Sequence, residues 1–181
     1  EVDCPEGKAL LISDDPFRDF NTLLKHFSPF IASSATIDPS AVIGEGTTIQ
    51  PNVVIGPNVV IGKNCLIHAG AVINYNCDLG DNVIIHSNVV VGSEGFYYKK
   101  RDHGFEKLHS AGRVRLENHV ELGAGTTIDR GVTATTLIKQ HTRIDNLCHI
   151  GHDTVIGERC LLAAHTGVAG CTVVGDDVTM W

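Results

Sequence analysis

Large aliphatic residues recur at every sixth position of this chain, and few folds can hold that phase. The series runs through Ile31, Ile37, Ile43, Ile49, Ile55, Ile61, Ile67, Ile73, Leu79, Ile85 and Val91. It restarts as Leu116, Leu122 and Ile128, then as Ile138, Ile144, Ile150, Ile156, Leu162, Val168, Val174 and Met180. Four positions after each comes a small or β-branched residue, such as Ala41, Thr47, Val53, Cys65, Ala71 or Val89. A period of six matches neither an amphipathic helix, with its period of about 3.6, nor the simple alternation of a hairpin. It suits a short strand followed by a turn, three of which close a triangular winding. The aliphatic residue fills the triangle and the small residue lets the corner close beside it. Glycine often follows the aliphatic residue, as at Gly44, Gly56, Gly62, Gly80 and Gly92, and is expected to take up turn conformations that side chains resist. The pattern predicts an all-β protein, a left-handed parallel β-helix of roughly seven windings and on the order of 34 Å long at ordinary strand spacing.

Two interruptions break the phase. Residues 97–115 are too long and too charged for one winding, and are expected to leave the solenoid as an excursion loop. Between Ile128 and Ile138 four extra residues are expected to bulge near Ala134–Leu137. Loops on such solenoids are where function concentrates. Residues 1–30 lack the repeat. Ala9–Ile12 reads as a short strand, and Asp15-Pro16 as an N-cap with proline at the first helical position. Phe17, Phe20, Leu23, Leu24 and Phe27 share one face of the helix that follows. The expected organisation is a strand–helix stub or cap over 1–30 and the β-helix over 31–181. The chain opens on Glu1 and stops at Trp181 in mid-pattern, so the reading expects a piece of a longer protein, shortened at its C-terminal end.

The charge of −7 argues against general nucleic-acid binding, which needs a basic face. No apolar run approaches the ~20 residues of a membrane-spanning helix. Four of the six cysteines, Cys65, Cys77, Cys148 and Cys160, fall at the small inward position of the repeat. That makes them reduced core residues of a cytoplasmic protein, rather than disulfides or zinc ligands.

Ten histidines offer candidate chemistry, and one stands apart by its position. His152 lies two residues after Ile150, facing outward. Eighteen residues on, one winding above, is Gly170. Imidazole can accept a proton from an attacking nucleophile, and a bare glycine N–H can stabilise the oxyanion that results. Asp145 and Asp153 are the carboxylates placed to fix its tautomer. The excursion carries Lys99, Lys100, Arg101 and Lys107, either a solvated loop or a contact for an acidic partner.

The stretch Ile144-Asp-Asn-Leu-Cys-His-Ile-Gly-His152-Asp-Thr-Val-Ile-Gly-Glu-Arg, with Thr127-Ile-Asp-Arg-Gly131 before it and Val168-Ala-Gly170 after it, resembles one family. This is the UDP-3-O-(3-hydroxyacyl)glucosamine N-acyltransferases of lipid A synthesis; Gly92-Ser-Glu-Gly-Phe96 is similar too. The resemblance implies transfer of a 3-hydroxyacyl group from acyl carrier protein, as its phosphopantetheine thioester, to the 2-amine of a UDP-linked glucosamine. It implies a homotrimer and neither a metal nor a separate cofactor. It makes His152 the base, Asp145 its orienting acid and Gly170 the oxyanion donor, with Asn146, His165 and Phe96 as substrate contacts. Rival readings are an acetyl-CoA-dependent N-acetyltransferase on a nucleotide amino sugar and an inactive structural β-helix. A trimeric zinc carbonic anhydrase on this fold would need two histidines five residues apart, and none are.

Overall fold

The protein is described from a computed structural model, which covers residues 3–30, 32–33 and 35–181. Ile31, the first of the aliphatic series, lies outside the described residues. The chain divides into two compact units, Glu1–Phe30 and Ile31–Trp181.

The first unit holds one helix, Pro16–Phe27. Asp15 caps it, accepting from the Arg18 N–H at 3.4 Å, and Pro16 starts it where a backbone N–H would have no helical partner. Its end is closed by the Ser28 N–H on the Leu24 carbonyl at 2.8 Å, with Lys25 and His26 at the negative end of the dipole. The strand expected at Ala9–Ile12 does not form. A strand exists only against a neighbour, and among the described residues this stretch pairs with none.

The second unit is the solenoid: three parallel sheets of seven, seven and six strands. The first face starts at Val42–Ile43 and ends at Val173–Val174. The second runs from Thr48–Ile49 to Thr179–Met180, and the third from Val54–Ile55 to Gly167–Val168. The register is the eighteen-residue winding: Ile43 pairs with Ile61, Ile67 with Ile85, and Ile150 with Val168. Every second strand residue turns inward, so Ile55, Ile67, Ile73, Ile85, Ile128, Ile138, Ile150 and Ile156 are wholly buried. Each fully buried aliphatic side chain stabilises by about 1.5–3 kcal/mol, so one long stack carries most of the stability.

At the corners the small inward residue also meets the backbone's hydrogen-bonding needs. Thr142 donates to the Gly157 carbonyl at 2.7 Å and accepts the Cys160 N–H at 3.1 Å. Cys65, Cys148 and Cys160 point their thiols at carbonyls of the next winding at 3.1–3.2 Å. These three and Cys77 are buried and free, as their place in the repeat requires; burial pushes the Cys77 thiol up to about 12.

Of the five glycines expected to take turn conformations, Gly92 does so, with φ 84°; the other four serve a different end. Gly44, Gly56, Gly62 and Gly80 do not take positive φ. A Cβ at Gly44 would lie 2.4 Å from the Gly62 carbonyl oxygen, and one at Gly56 would lie 2.8 Å from the Tyr75 nitrogen. They are needed because successive windings touch there. The left-handed residue comes two positions later and is mostly not glycine: Asn52, Asn58, Asn64, Asn76, Asn82 and Asn88 in the first run, all with φ of 54–63°.

Both interruptions fall at one corner, between the third and first faces, on successive windings. The excursion contains an antiparallel hairpin, Tyr98–Arg101 against Gly104–Lys107. It ends earlier than the expected residue 115, because Arg113–Leu116 is a regular strand paired with Cys77–Leu79 and Thr135–Ile138. Val114 and Leu116 point inward there despite the flanking arginines, whose charge hid the return of the repeat. The extra residues of the second break also lie earlier than Ala134–Leu137. Thr136 and Ile138 are wholly buried in a normal strand, and the chain bulges instead across Arg130–Ala134. The end of the excursion leans on that bulge through Ala111 N–H to Val132 carbonyl at 2.8 Å and Gly112 N–H to Gly131 carbonyl at 2.9 Å.

Candidate active site

His152 lies on the next winding at that same corner, directly above the bulge. The corner geometry turns its side chain outward, since Ile150 before it and Thr154 after it fill the interior. It is nevertheless only 8% exposed, because the start of the excursion covers it. The Tyr97 ring stands edge-on at 5.8 Å between centroids, and a Cβ on Gly95 would lie 2.9 Å from that of His152.

Above the ring is Gly170, in register through the pairing of Ile150 with Val168. On other windings this position carries an asparagine or aspartate that caps the N–H beneath: Asp81 on Lys63, Asn146 on Ala124, Asp176 on Glu158. Glycine leaves that place to the imidazole. A Cβ on residue 170 would stand 2.6 Å from His152 Nε2, so no other residue fits without moving the ring. The Gly170 N–H donates to no group among the described residues.

The carboxylate on the ring is Asp153, whose Oδ2 lies 2.9 Å from His152 Nδ1. Asp153 takes the left-handed corner conformation, φ 56°, and is held by the bulge. The N–H groups of Val132, Thr133 and Ala134 all donate to it at 2.7–3.3 Å. Burial pushes its carboxyl up, but the hydrogen bonds from His152 and from the three N–H groups outweigh this and hold it below the usual range. The extra residues thus form a nest of donors fixing a carboxylate, which fixes Nδ1 and leaves Nε2 facing Gly170.

The other expected residues divide between places. Asp145 was expected to orient the ring, but within one chain it sits at the corner between the second and third faces, accepting the Asn146 N–H at 2.7 Å. The carboxylate that touches the ring is Asp153, because the corner that carries His152 carries the next residue with it. Asn146 caps Ala124 at 2.6 Å and gives its own carbonyl to the His165 N–H at 3.2 Å, so Asn146 and His165 share that other corner with Asp145. Asp145 and Asn146 also line a hollow of about 460 Å³ with Glu121, Arg143 and Trp181. Phe96 is exposed, edge-on to Tyr98 at 5.0 Å. His68 stacks on His86 and His119 on His141, with centroids 5.0 and 4.7 Å apart. Of the excursion's basic residues, Arg101 pairs with Glu106 at 2.6 Å and Lys107 with Glu94 at 3.6 Å, which neutralises much of the patch.

Two groups escaped the sequence reading. Asp129 is buried under the excursion, 3.6 Å from His149 Nε2, and burial raises its carboxyl against the opposing pull of His149 and His152. Arg130, wholly buried, donates to the Tyr75 carbonyl at 2.5 Å and lies 3.6 Å above the Tyr75 ring. Thr127-Ile-Asp-Arg-Gly131 is visible as a motif, but the burial of its charged members Asp129 and Arg130 is not.

Residues 28–63, 58–93 and 135–170 match the bacterial transferase hexapeptide family, described as having six repeats. The chain belongs to that family. Among hexapeptide proteins, it is 45% identical over 195 residues to UDP-3-O-acylglucosamine N-acyltransferase 1 of Sulfurimonas denitrificans, covering 97% of this chain and 61% of that one. It is 49% identical over 92 residues to the UDP-3-O-acylglucosamine N-acyltransferase of Campylobacter lari, covering 50% of this chain and 29% of that one. The chain thus spans at most about three fifths of these two relatives. Among solved structures it is similar to a UDP-N-acetylglucosamine acyltransferase from Bacteroides fragilis, with a TM-score of 0.59 and 26% identity over 84% of this chain and 60% of that one.

Proposed function

We propose that this chain carries the catalytic corner of an N-acyltransferase acting on a UDP-3-O-acyl-glucosamine, with His152 as general base. The observation that carries the reading is the fit of His152 Nε2 against Gly170 while Nδ1 is held by Asp153. In the reaction, Nε2 takes a proton from the sugar 2-amine as its nitrogen attacks the thioester carbonyl. The oxyanion is met by the Gly170 N–H, an interaction worth about 3–4 kcal/mol in comparable sites. Collapse breaks the carbon–sulfur bond, and the imidazolium returns its proton to the leaving thiolate. Asp153 stabilises the imidazolium between these steps.

The donor in this reading is acyl carrier protein bearing a 3-hydroxyacyl phosphopantetheine thioester, and no further cofactor is needed. The enzyme works as a homotrimer in the cytoplasm, where thiols such as Cys65 and Cys148 stay reduced. Asp145, Asn146 and His165 at the neighbouring corner, with exposed Phe96, then serve the substrate across subunits. Incubating the full-length protein with UDP-3-O-acyl-glucosamine and either acyl carrier protein thioester or acetyl-CoA, with the amide product read by mass spectrometry, tests this. Transfer from the carrier protein is expected. Transfer only from acetyl-CoA makes the protein an N-acetyltransferase, and transfer from neither makes it a structural β-helix.

A further inference from the structure

Cys171 stands apart from the four cysteines of the core. It occupies the left-handed position of its corner, φ 59°, where asparagine or glycine is the easier residue. Its thiol is exposed and bonds to nothing among the described residues. It lies eighteen residues after Asp153, hence one winding above it, and its N–H is fixed on the His152 carbonyl at 2.8 Å. As a result His152, Asp153 and Cys171 each bring a ligand atom within 4.8 Å of the others, the one group of three such residues among those described.

We propose that these three residues bind a zinc ion, and that occupation withdraws His152 from proton transfer. Imidazole, carboxylate and thiolate are the donors zinc prefers, and three protein ligands leave a fourth position for water. Tetrahedral binding needs the donor atoms about 3.3–3.6 Å apart. A small rotation of the exposed Cys171 side chain brings in the thiol, and the His152 Nδ1–Asp153 Oδ2 pair, 2.9 Å apart across its hydrogen bond, opens by a few tenths of an ångström as the proton between them leaves. Binding at His152 Nδ1, which now faces Asp153 Oδ2, moves the ring proton to Nε2 and releases the thiol proton to solvent, so the nitrogen that must accept a proton already carries one. The exposed thiol gives the ion its way in. The loss of turnover rests on the acyl-transfer reading; the binding does not.

The test titrates the metal-stripped chain with Zn²⁺ against a chromophoric chelator, and with Co²⁺ while following the thiolate-to-cobalt charge-transfer band. One ion per chain and a band are expected; Cys171→Ser and Cys171→Asn, which suits the left-handed position, should abolish the band and weaken Zn²⁺ binding at least ~10-fold. Equal affinity in the wild type and both variants, or no band, overturns the site. In turnover assays Zn²⁺ should inhibit the wild type reversibly by chelator, while Cys171→Ser keeps its basal rate and resists. Stoichiometric binding with unchanged turnover overturns the inhibitory role alone. A chain with no acyl transfer in any condition refutes the functional reading and leaves the binding result to stand.

Discussion

The two runs of the solenoid build the same corners from different residues. In the first, the left-handed position is asparagine at Asn52, Asn58, Asn64, Asn76, Asn82 and Asn88, with glycine at Gly46 and Gly70. In the second it is His119, His141, Leu147, Asp153, Arg159, His165, Cys171 and Asp177, with glycine only at Gly125. Asparagine reaches this conformation easily, whereas most side chains lose roughly 1 kcal/mol there. The backbone is the same in both runs, so the winding imposes the conformation and the residue is chosen for something else. Arg159 forms a forked pair with Asp177 one winding above at 2.7 and 2.8 Å. Asp153 clamps both the bulge and the imidazole. At Arg159 and Asp153 the broken local preference coincides with a cross-winding contact.

Substitutions at matched corners break or sharpen this contrast. Asp153→Ala should have the largest effect: it strands three N–H groups and frees the ring. Unfolding free energy should fall by about 2–4 kcal/mol and acyl transfer by about 10²–10⁴-fold. Asn82→Ala, at a first-run corner, should cost only about 1–2 kcal/mol by chemical denaturation with turnover unchanged. Gly170→Ala comes next: with a Cβ 2.6 Å from Nε2 the ring must move, and a loss of about 10²-fold in rate with little change in melting temperature is expected. If Gly170→Ala is as active as the wild type, the ring does not work against that glycine.

Asp153 also sets a pH response. Its folded carboxyl is held below the unfolded value, so its stabilisation is complete above about pH 3.9 and is lost as pH falls through the lower folded value. In Asp153→Asn, which can still accept some of the bulge's N–H groups, that acid-limb loss should disappear from stability measured against pH. The smallest effect belongs to Arg159→Asn. Losing an exposed pair costs up to about 1 kcal/mol, and an easier left-handed residue returns a similar amount. Melting should therefore shift by no more than a degree or two per residual few tenths of a kcal/mol.

Inward-facing periodicity was legible because burial of Ile55 through Val174 leaves a mark at every winding. The ends of the irregular segments were not, since Val114 and Thr136 lie among arginines and threonines that read as loop. His152 and Gly170 could be paired from the eighteen-residue register alone. Choosing between Asp145 and Asp153 could not be done that way, because it depends on which corner each occupies and on three N–H groups from a bulge that the repeat does not predict. The glycine positions showed where windings are tight but not why, as contact between windings and turn conformation call for the same residue.

Single-turnover acyl transfer by full-length His152→Ala, at saturating donor and with its unfolding curve recorded alongside, probes the base assignment most directly. Correct folding with a rate about 10²–10⁴-fold below wild type is expected; a correctly folded variant within about twofold of wild type, far less than a general base contributes, would contradict it.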